Sequence, residues 1–233
     1  MFAINKPAGL MVHGDGRTKE KTLADLILKE YPKLKNIGEP MEITDQKTKK
    51  KVVIYRPGIV HRLDKETSGV LLIAKNQKTF EYLKKLFQDR GIKKTYRAVV
   101  HKNIKAEGGV VDQPIGRSKT DFRQWHSGRG IRGETREAVT EYKVLSRFKK
   151  NKEDFCYVEV NPKTGRTHQI RVHMKFLQHP VAGDALYSPK NKQGLWSRMM
   201  LHALSIEFKN PKGKVIKIEA PLPKEFKDLG EVA

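Results

Sequence analysis

The 233 residues include 48 Lys and Arg against 26 Asp and Glu, a formal net charge of +22 and a pI near 10.0. So basic a chain implies a polyanionic partner, nucleic acid ahead of an anionic membrane, since the sequence has no long apolar span and no strongly amphipathic lipid-binding helix. The lone cysteine, Cys156, excludes a disulfide framework and a cysteine-rich zinc site; within the strand-like run from Phe155 to Val160 it reads as a buried structural thiol.

The chain enters a strand at Phe2–Asn5, with no signal peptide, so a cytoplasmic location is expected. Lys6-Pro7-Ala8-Gly9 ends that strand, because proline lacks a donor and glycine permits the turn. Leu23, Leu26 and Ile27 repeat at helical spacing from Thr22 to Tyr31, and Pro32 stops the helix. Residues 33–56 are polar, with Lys47, Lys49, Lys50 and Lys51 in one run, and read as a surface loop or hairpin.

Pro57 to Asn76 is the densest stretch. Val70 to Ala74 is an apolar run with β-branched members and reads as a fully buried strand. His61, Arg62, Asp64, Lys65, Glu66, Thr67 and Ser68 precede it on a loop, the usual place for functional groups carried by a rigid scaffold. If residues 61–64 are extended, Arg62 and Asp64 share one side and Leu63 anchors the other.

Asn76 caps a helix that runs to Arg90 and ends at Gly91, its apolar stripe formed by Phe80, Leu83, Leu86 and Phe87. A strand follows from Thr95 to Val100, with Tyr96, Ala98 and Val100 on one face. Between residues 103 and 133 lie short strands and turns. There Arg117, Lys119, Arg123, Arg129 and Arg132 surround Trp125 and His126 on a basic loop, suited to phosphate contact with base stacking. Ala138–Phe148 and Phe155–Val160 are strands. Thr167–Gln178 is a helix with Ile170, Met174 and Leu177 as its core stripe and His168, Arg171 and Lys175 opposite. Met199–Phe208 and Val215–Ala220 are strands, and Pro223–Leu229 closes the chain as a short helix. Strands dominate and many follow one another directly, which gives an α+β class with a mixed, mainly antiparallel sheet.

Three segments then stand out in order: Asn5-Lys6-Pro7-Ala8-Gly9 with Val12-His13, His61-Arg62-Leu63-Asp64-Lys65-Glu66-Thr67-Ser68-Gly69, and Gly165-Arg166-Thr167-His168-Gln169-Ile170-Arg171-Val172-His173. With Lys94-Thr95-Tyr96-Arg97-Ala98 and Gly183-Asp184-Ala185-Leu186-Tyr187, the set resembles the RluA family of RNA pseudouridine synthases over nearly the whole chain. Many members carry an N-terminal S4-type RNA-binding domain. This chain resembles those that consist of the catalytic domain alone, so residues 1–233 are expected to form one catalytic domain with a central active-site cleft and a few flanking helices.

The resemblance implies a cytoplasmic, monomeric isomerase, free of metal and cofactor, that turns uridine in structured RNA into pseudouridine. Ribosomal large-subunit RNA is the first expectation for its substrate and transfer RNA the second. Asp64 takes the place of the catalytic aspartate; a carboxylate is ionised at neutral pH and can act as a nucleophile toward the sugar C1′ or the base C6, or help expel uracil by a glycal route. Tyr96 matches the active-site tyrosine, though on its residues alone it also reads as a core tyrosine. Arg171 matches the arginine that pairs with the aspartate; otherwise it reads as a surface helix arginine on phosphate. Arg62 matches a residue that helps flip the target nucleotide, or else clamps a phosphate. Lys6, His61, Arg166 and His168 lie in the same motifs and join Arg123, Arg129 and Arg132 as RNA-binding candidates, His61 also as a brace for its loop. His168 and His173, five positions apart on a helix, do not share a face and make a poor metal pair.

Two other classes fit the sequence less well. An aspartyl-phosphate enzyme needs Mg²⁺ held by further carboxylates, and the acidic residues here are scattered. A non-catalytic RNA-binding or ribosome-assembly protein would gain nothing from a carboxylate that repels phosphate.

Overall fold

The structure, a computed structural model, describes residues 1–14, 20–44, 51–189, 194–227 and 229; of Ile43 and Val52 only the backbone is described. The chain divides into two compact units, residues 1–92 with 207–220 and residues 93–206 with 221–233.

In the first unit β1 (Phe2–Lys6) leads to α1 (Leu23–Glu30), which Thr22 and Asp25 start with a reciprocal capping box. Leu23 and Ile27 are buried as expected, whereas Leu26 is 45% exposed: its position falls off the narrow inward stripe of an eight-residue helix. Pro32 opens a short 3₁₀ helix (Pro32–Asn36). A hairpin of β2 (Met41–Thr44) and β3 (Lys51–Ile54) follows; Lys47, Lys49 and Lys50 lie outside the described residues. β4 (Ser68–Ile73) is buried along its whole length and pairs antiparallel with β1, Phe2 facing Ile73 and Lys6 facing Gly69. Such burial on both faces is what an unbroken apolar run specifies. α2 (Gln77–Gln88) is capped by Asn76, whose side chain accepts from the Thr79 N–H at 2.9 Å; Phe80 and Leu83 are its buried residues.

In the second unit β5 (Lys93–His101), β6 (Gly108–Asp112), β10 (Val139–Lys150), β11 (Glu153–Pro162) and β12 (Leu201–Lys209, whose last three residues belong to the first unit) form a sheet in the order β12-β5-β11-β10-β6. The β5–β11, β11–β10 and β10–β6 pairings are all antiparallel. Ala98, Val100, Val158 and Val160 on one face pack with Ile170 and Met174 of α3 (Gln169–Phe176), and the ring of Tyr96 lies against this cluster. Cys156 is a buried free thiol, and burial raises its pKa. Residues expected as a basic loop instead form a small antiparallel sheet of β7 (Ile115–Ser118), β8 (Trp125–Ser127) and β9 (Ile131–Arg136). β7 is largely buried, but β8 is a half-buried run of three residues and β9 is mostly exposed, so these two lack the apolar alternation that marks a strand in sequence. An Asn210 side chain that accepts from the Lys212 and Lys214 N–H groups turns the chain into β13 (Val215–Glu219) of the first unit, and α4 (Lys224–Lys227) lies near the C-terminus. The described structure is thus α+β with a mainly antiparallel sheet, as the strand-rich sequence implies. Among the described residues, no helix is long and apolar enough to cross a membrane.

Candidate active site

In the first unit the loop that carries Asp64 is pinned from beneath. Leu63 is buried while Arg62 is exposed and Asp64 half-buried, the alternation expected of an extended segment. The Asp64 carbonyl accepts from the Thr67 N–H at 3.1 Å, closing a turn directly before β4. The next carbonyl, that of Lys65, accepts from the Gly9 N–H at 2.9 Å and from the Lys6 ammonium at 3.0 Å. Lys6 Nζ also donates to the Pro7 and Leu10 carbonyls, each at 2.8 Å. A fully buried ammonium is costly unless its donors are met, and Lys6, 0% exposed, meets them with three carbonyls. Lys6 therefore ties the N-terminal turn to the Asp64 loop, and its place is beneath the loop rather than on an RNA-facing surface. This corrects its reading as an RNA contact.

His61 braces the other side. Its Nε2 accepts from the Leu72 N–H at 2.9 Å, which puts the ring proton on Nδ1, and the ring stacks on Phe87 with centroids 4.6 Å apart. The loop is thus fixed to the core strand by one histidine and to the first turn by one lysine.

In the second unit the side chain of Arg171 is not on an open helix face. It is 7% exposed and paired at two points with Asp184, which is 0% exposed: Nε to Oδ2 at 2.7 Å and Nη2 to Oδ1 at 2.9 Å. The same Oδ1 accepts from the N–H groups of Leu186 and Tyr187, at 2.9 and 3.1 Å. The guanidinium also sits over the Tyr187 ring, 5.0 Å from its centroid. The reading of Arg171 as a surface phosphate contact is excluded by this burial. In sequence Asp184 is only part of a matching motif, with no role; the buried acid it supplies has no local signal and is the residue that sequence reasoning misses. Gly183 before it has φ +71°, and a Cβ there would stand 2.1 Å from the Arg198 carbonyl oxygen, so the turn that delivers Asp184 requires glycine.

The N-terminal turn of α3 is held by a directional chain of hydrogen bonds. The Gln169 amide donates to the Val139 carbonyl and the Thr140 hydroxyl, both at 2.9 Å, and its carbonyl accepts from Thr164 Oγ1 at 2.6 Å and from the Arg166 N–H at 2.9 Å. His173, 0% exposed, bonds Thr140 Oγ1 through Nδ1 at 2.8 Å and the Gln113 carbonyl through Nε2 at 3.0 Å. A carbonyl can only accept, so Nε2 carries the proton and Nδ1 accepts from Thr140. Burial holds the imidazole below its ordinary pKa. His168 starts the helix at φ +54°, in the left-handed region. Tyr187 Oη accepts from the Trp125 N–H at 3.0 Å and shares a hydrogen bond with His168 Nδ1 at 2.9 Å.

Of the remaining candidates, Arg166 is half-buried and donates through Nε to the Glu137 carbonyl at 2.9 Å. Arg129 and Arg132 are exposed. Arg123 is exposed too, but forks onto Asp121 at 2.8 and 3.1 Å, and this partner pulls the Asp121 carboxyl down to about 2. Arg117 stacks over Trp125, 4.6 Å from its centroid. No cluster of three or more metal-ligating side chains occurs among the described residues.

The chain as a whole matches one class of protein. A family model described as RNA pseudouridylate synthase matches residues 1–176. An uncharacterized RNA pseudouridine synthase of Bacillus subtilis is 38% identical over 232 residues, covering 99% of this chain and 69% of its own. A ribosomal large subunit pseudouridine synthase D of Borreliella burgdorferi is 34% identical over 226 residues, covering 97% and 64%. The solved structure of human RNA pseudouridylate synthase domain containing 4 superimposes with a TM-score of 0.68 at 28% identity, over 96% of this chain and 86% of that one. The chain belongs to the RNA pseudouridylate synthase family and is an isomerase that converts uridine in RNA to pseudouridine. It spans about two thirds of the length of the curated relatives it matches.

Proposed function

We propose that this chain modifies uridine in ribosomal large-subunit RNA, with Asp64 as the catalytic carboxylate. The observation that carries the reading is the Asp64 loop: a half-exposed carboxylate held between the Lys6 clamp and the His61 brace, in a chain of net charge +22. A carboxylate repels the RNA backbone, so its placement there serves chemistry rather than affinity. In the isomerisation the N1–C1′ bond breaks, the freed uracil turns, C5 bonds to C1′, and the proton lost from C5 is balanced by one gained at N1. Asp64 assists at C1′ or C6 and is regenerated. Exposed Arg62, two residues earlier, takes the place of the nucleotide drawn out of the stack, an extrusion that costs a few kcal/mol. Tyr96 serves as the surface on which the base turns, and Arg171, already oriented by Asp184, as the cation that serves the catalytic carboxylate. The ribosomal target rests on relatives named ribosomal large subunit pseudouridine synthase D at 32–35% identity. The compartment on this reading is that of its RNA, the cytoplasm.

Pseudouridine mapping of total RNA from cells with and without the protein tests this. Loss of sites in large-subunit RNA on deletion, restored by the wild type and not by Asp64→Asn, is expected. Sites lost from transfer RNA instead would move the substrate; sites restored by Asp64→Asn would remove Asp64 from catalysis.

A further inference from the structure

Arg56 lies outside the motifs that mark the family in the sequence, and its surroundings are unusual for a half-buried guanidinium. A guanidinium has five N–H donors and no acceptor, and when buried it is normally met by a carboxylate. Arg56 has none among the described residues. Its Nη2 donates to His13 Nε2 at 3.1 Å and touches Met41 Sδ at 3.5 Å, while its buried Nε–H has no partner among the described residues. His13 Nδ1 is spent on the Gly14 carbonyl at 3.0 Å, so the imidazole is neutral and its Nε2 lone pair aims the guanidinium. Arg62 adds a like charge: burial first, then Arg62, hold Arg56 below its ordinary pKa.

The backbone fixes this arrangement. The Arg56 carbonyl accepts from the Ile59 N–H at 3.1 Å, and the Gly58 N–H and carbonyl bond Ile37 and Ala74 at 2.8 and 2.9 Å. Gly58 has φ +63°, and a Cβ there would lie 2.2 Å from the Ala74 carbonyl oxygen. Arg56 is therefore delivered by a tight turn onto the end of β4, six residues before Arg62.

A half-buried guanidinium with an unmet donor, six residues before a second arginine whose charge it feels, is suited to an anion. We infer that Arg56, oriented by His13 and joined by Arg62, binds a phosphodiester of the substrate RNA beside the target nucleotide. The inference rests on the pseudouridine synthase reading and deepens it: Arg62 is then partly neutralised by a phosphate as it approaches the base stack, and Arg56 sets where that phosphate lies.

The test uses the full chain and a fluorescein-labelled RNA hairpin with one loop uridine, titrated from 50 to 200 mM KCl. Arg56→Gln is expected to weaken binding about tenfold and to reduce the slope of log K against log salt by about 0.7–0.9, the loss of one phosphate contact. Arg56→Lys restores most of the slope. In ¹⁵N-arginine-labelled wild type, the Arg56 Nε–H signal, assigned by its absence from Arg56→Lys, shifts when the hairpin is added. A folded Arg56→Gln with the wild-type slope, or an Nε–H signal that the RNA does not move, overturns the inference. If thermal melting shows Arg56→Gln to be unfolded, the Nε–H signal decides. A signal moved by inorganic phosphate and not by RNA assigns the site to a free anion and also overturns it. Failure of the wild type to bind RNA or form pseudouridine overturns the functional reading as well; normal pseudouridine formation with an unmoved Arg56 overturns this inference alone.

Discussion

Arg171 and Asp184, thirteen residues apart, form a two-point ion pair sealed from solvent, and Asp184 uses the same carboxylate to cap the Leu186–Tyr187 turn. Burying two charges is favourable only when their hydrogen bonds are met, and removing one partner strands the other. Asp184→Ala is therefore expected to cost about 3–5 kcal/mol in urea unfolding. The double replacement Arg171→Met with Asp184→Leu removes both charges and is expected to recover only the part of that loss due to the stranded guanidinium, since the Leu186 and Tyr187 N–H groups stay unmet. It should nonetheless leave pseudouridine formation abolished, because the guanidinium is gone. A stable and active double variant would reduce the pair to a packing element.

His61 makes a second, independent prediction. Its Nε2 is the acceptor for a buried backbone N–H of β4, and its ring stacks on Phe87. His61→Ala leaves that donor unmet, at a cost of about 1–3 kcal/mol. It also loosens the loop that carries Asp64. The expected result is a lower kcat with RNA affinity within a few-fold of wild type, measured by single-turnover pseudouridine formation alongside equilibrium binding. A loss of affinity with kcat intact would instead make His61 an RNA contact.

Most of the secondary structure and the Asp64 loop were legible because local rules decide them. Val70–Ala74 reads as a strand because both faces are apolar, and α2 starts at Asn76 because the cap bond is local. What escaped was decided by distant partners. Arg171 reads as part of the polar side of an amphipathic helix, yet it and its polar neighbours Gln169 and His173 are buried, since Asp184, Thr140 and Gln113 meet their polar atoms. Lys6 looks like a phosphate contact and is consumed by three carbonyls. The basic segment around Trp125 shows no strand periodicity because β8 and β9 have little fully buried face, and register with the buried β7 is what orders them.

The buried imidazole of His173 predicts an acid-side loss of stability. Its folded pKa lies below the ordinary 6.5, so as pH falls the unfolded chain takes up the proton first. The stability it contributes is fully present above about pH 6.5 and is lost as pH falls from there toward the lower folded value, by at most about 1.4 kcal/mol per pH unit. His126 is shifted the same way by burial and by Lys175, and adds in the same window. Urea midpoints between pH 7.5 and 5 should fall less steeply in His173→Gln than in wild type; parallel curves would mean that His173 is not the group responsible.

The basic sheet of β7–β9 holds arginines that should not be equivalent. Arg129 and Arg132 are exposed, whereas Arg123 is already neutralised by its fork onto Asp121. If this sheet meets RNA phosphates, Arg129→Gln and Arg132→Gln should each lower the salt slope of binding by about 0.7–0.9. Arg123→Gln should lower it less. Asp121→Asn has the opposite sign: an asparagine oxygen still accepts the Arg123 backbone N–H that the carboxylate holds at 2.9 Å, so the turn survives. The freed guanidinium then adds a phosphate contact, and both affinity and salt slope rise. Equal effects from all three arginines, with no gain from Asp121→Asn, would show that the Arg123–Asp121 pair opens when RNA binds; no effect from any of them would remove this sheet from the RNA-binding surface.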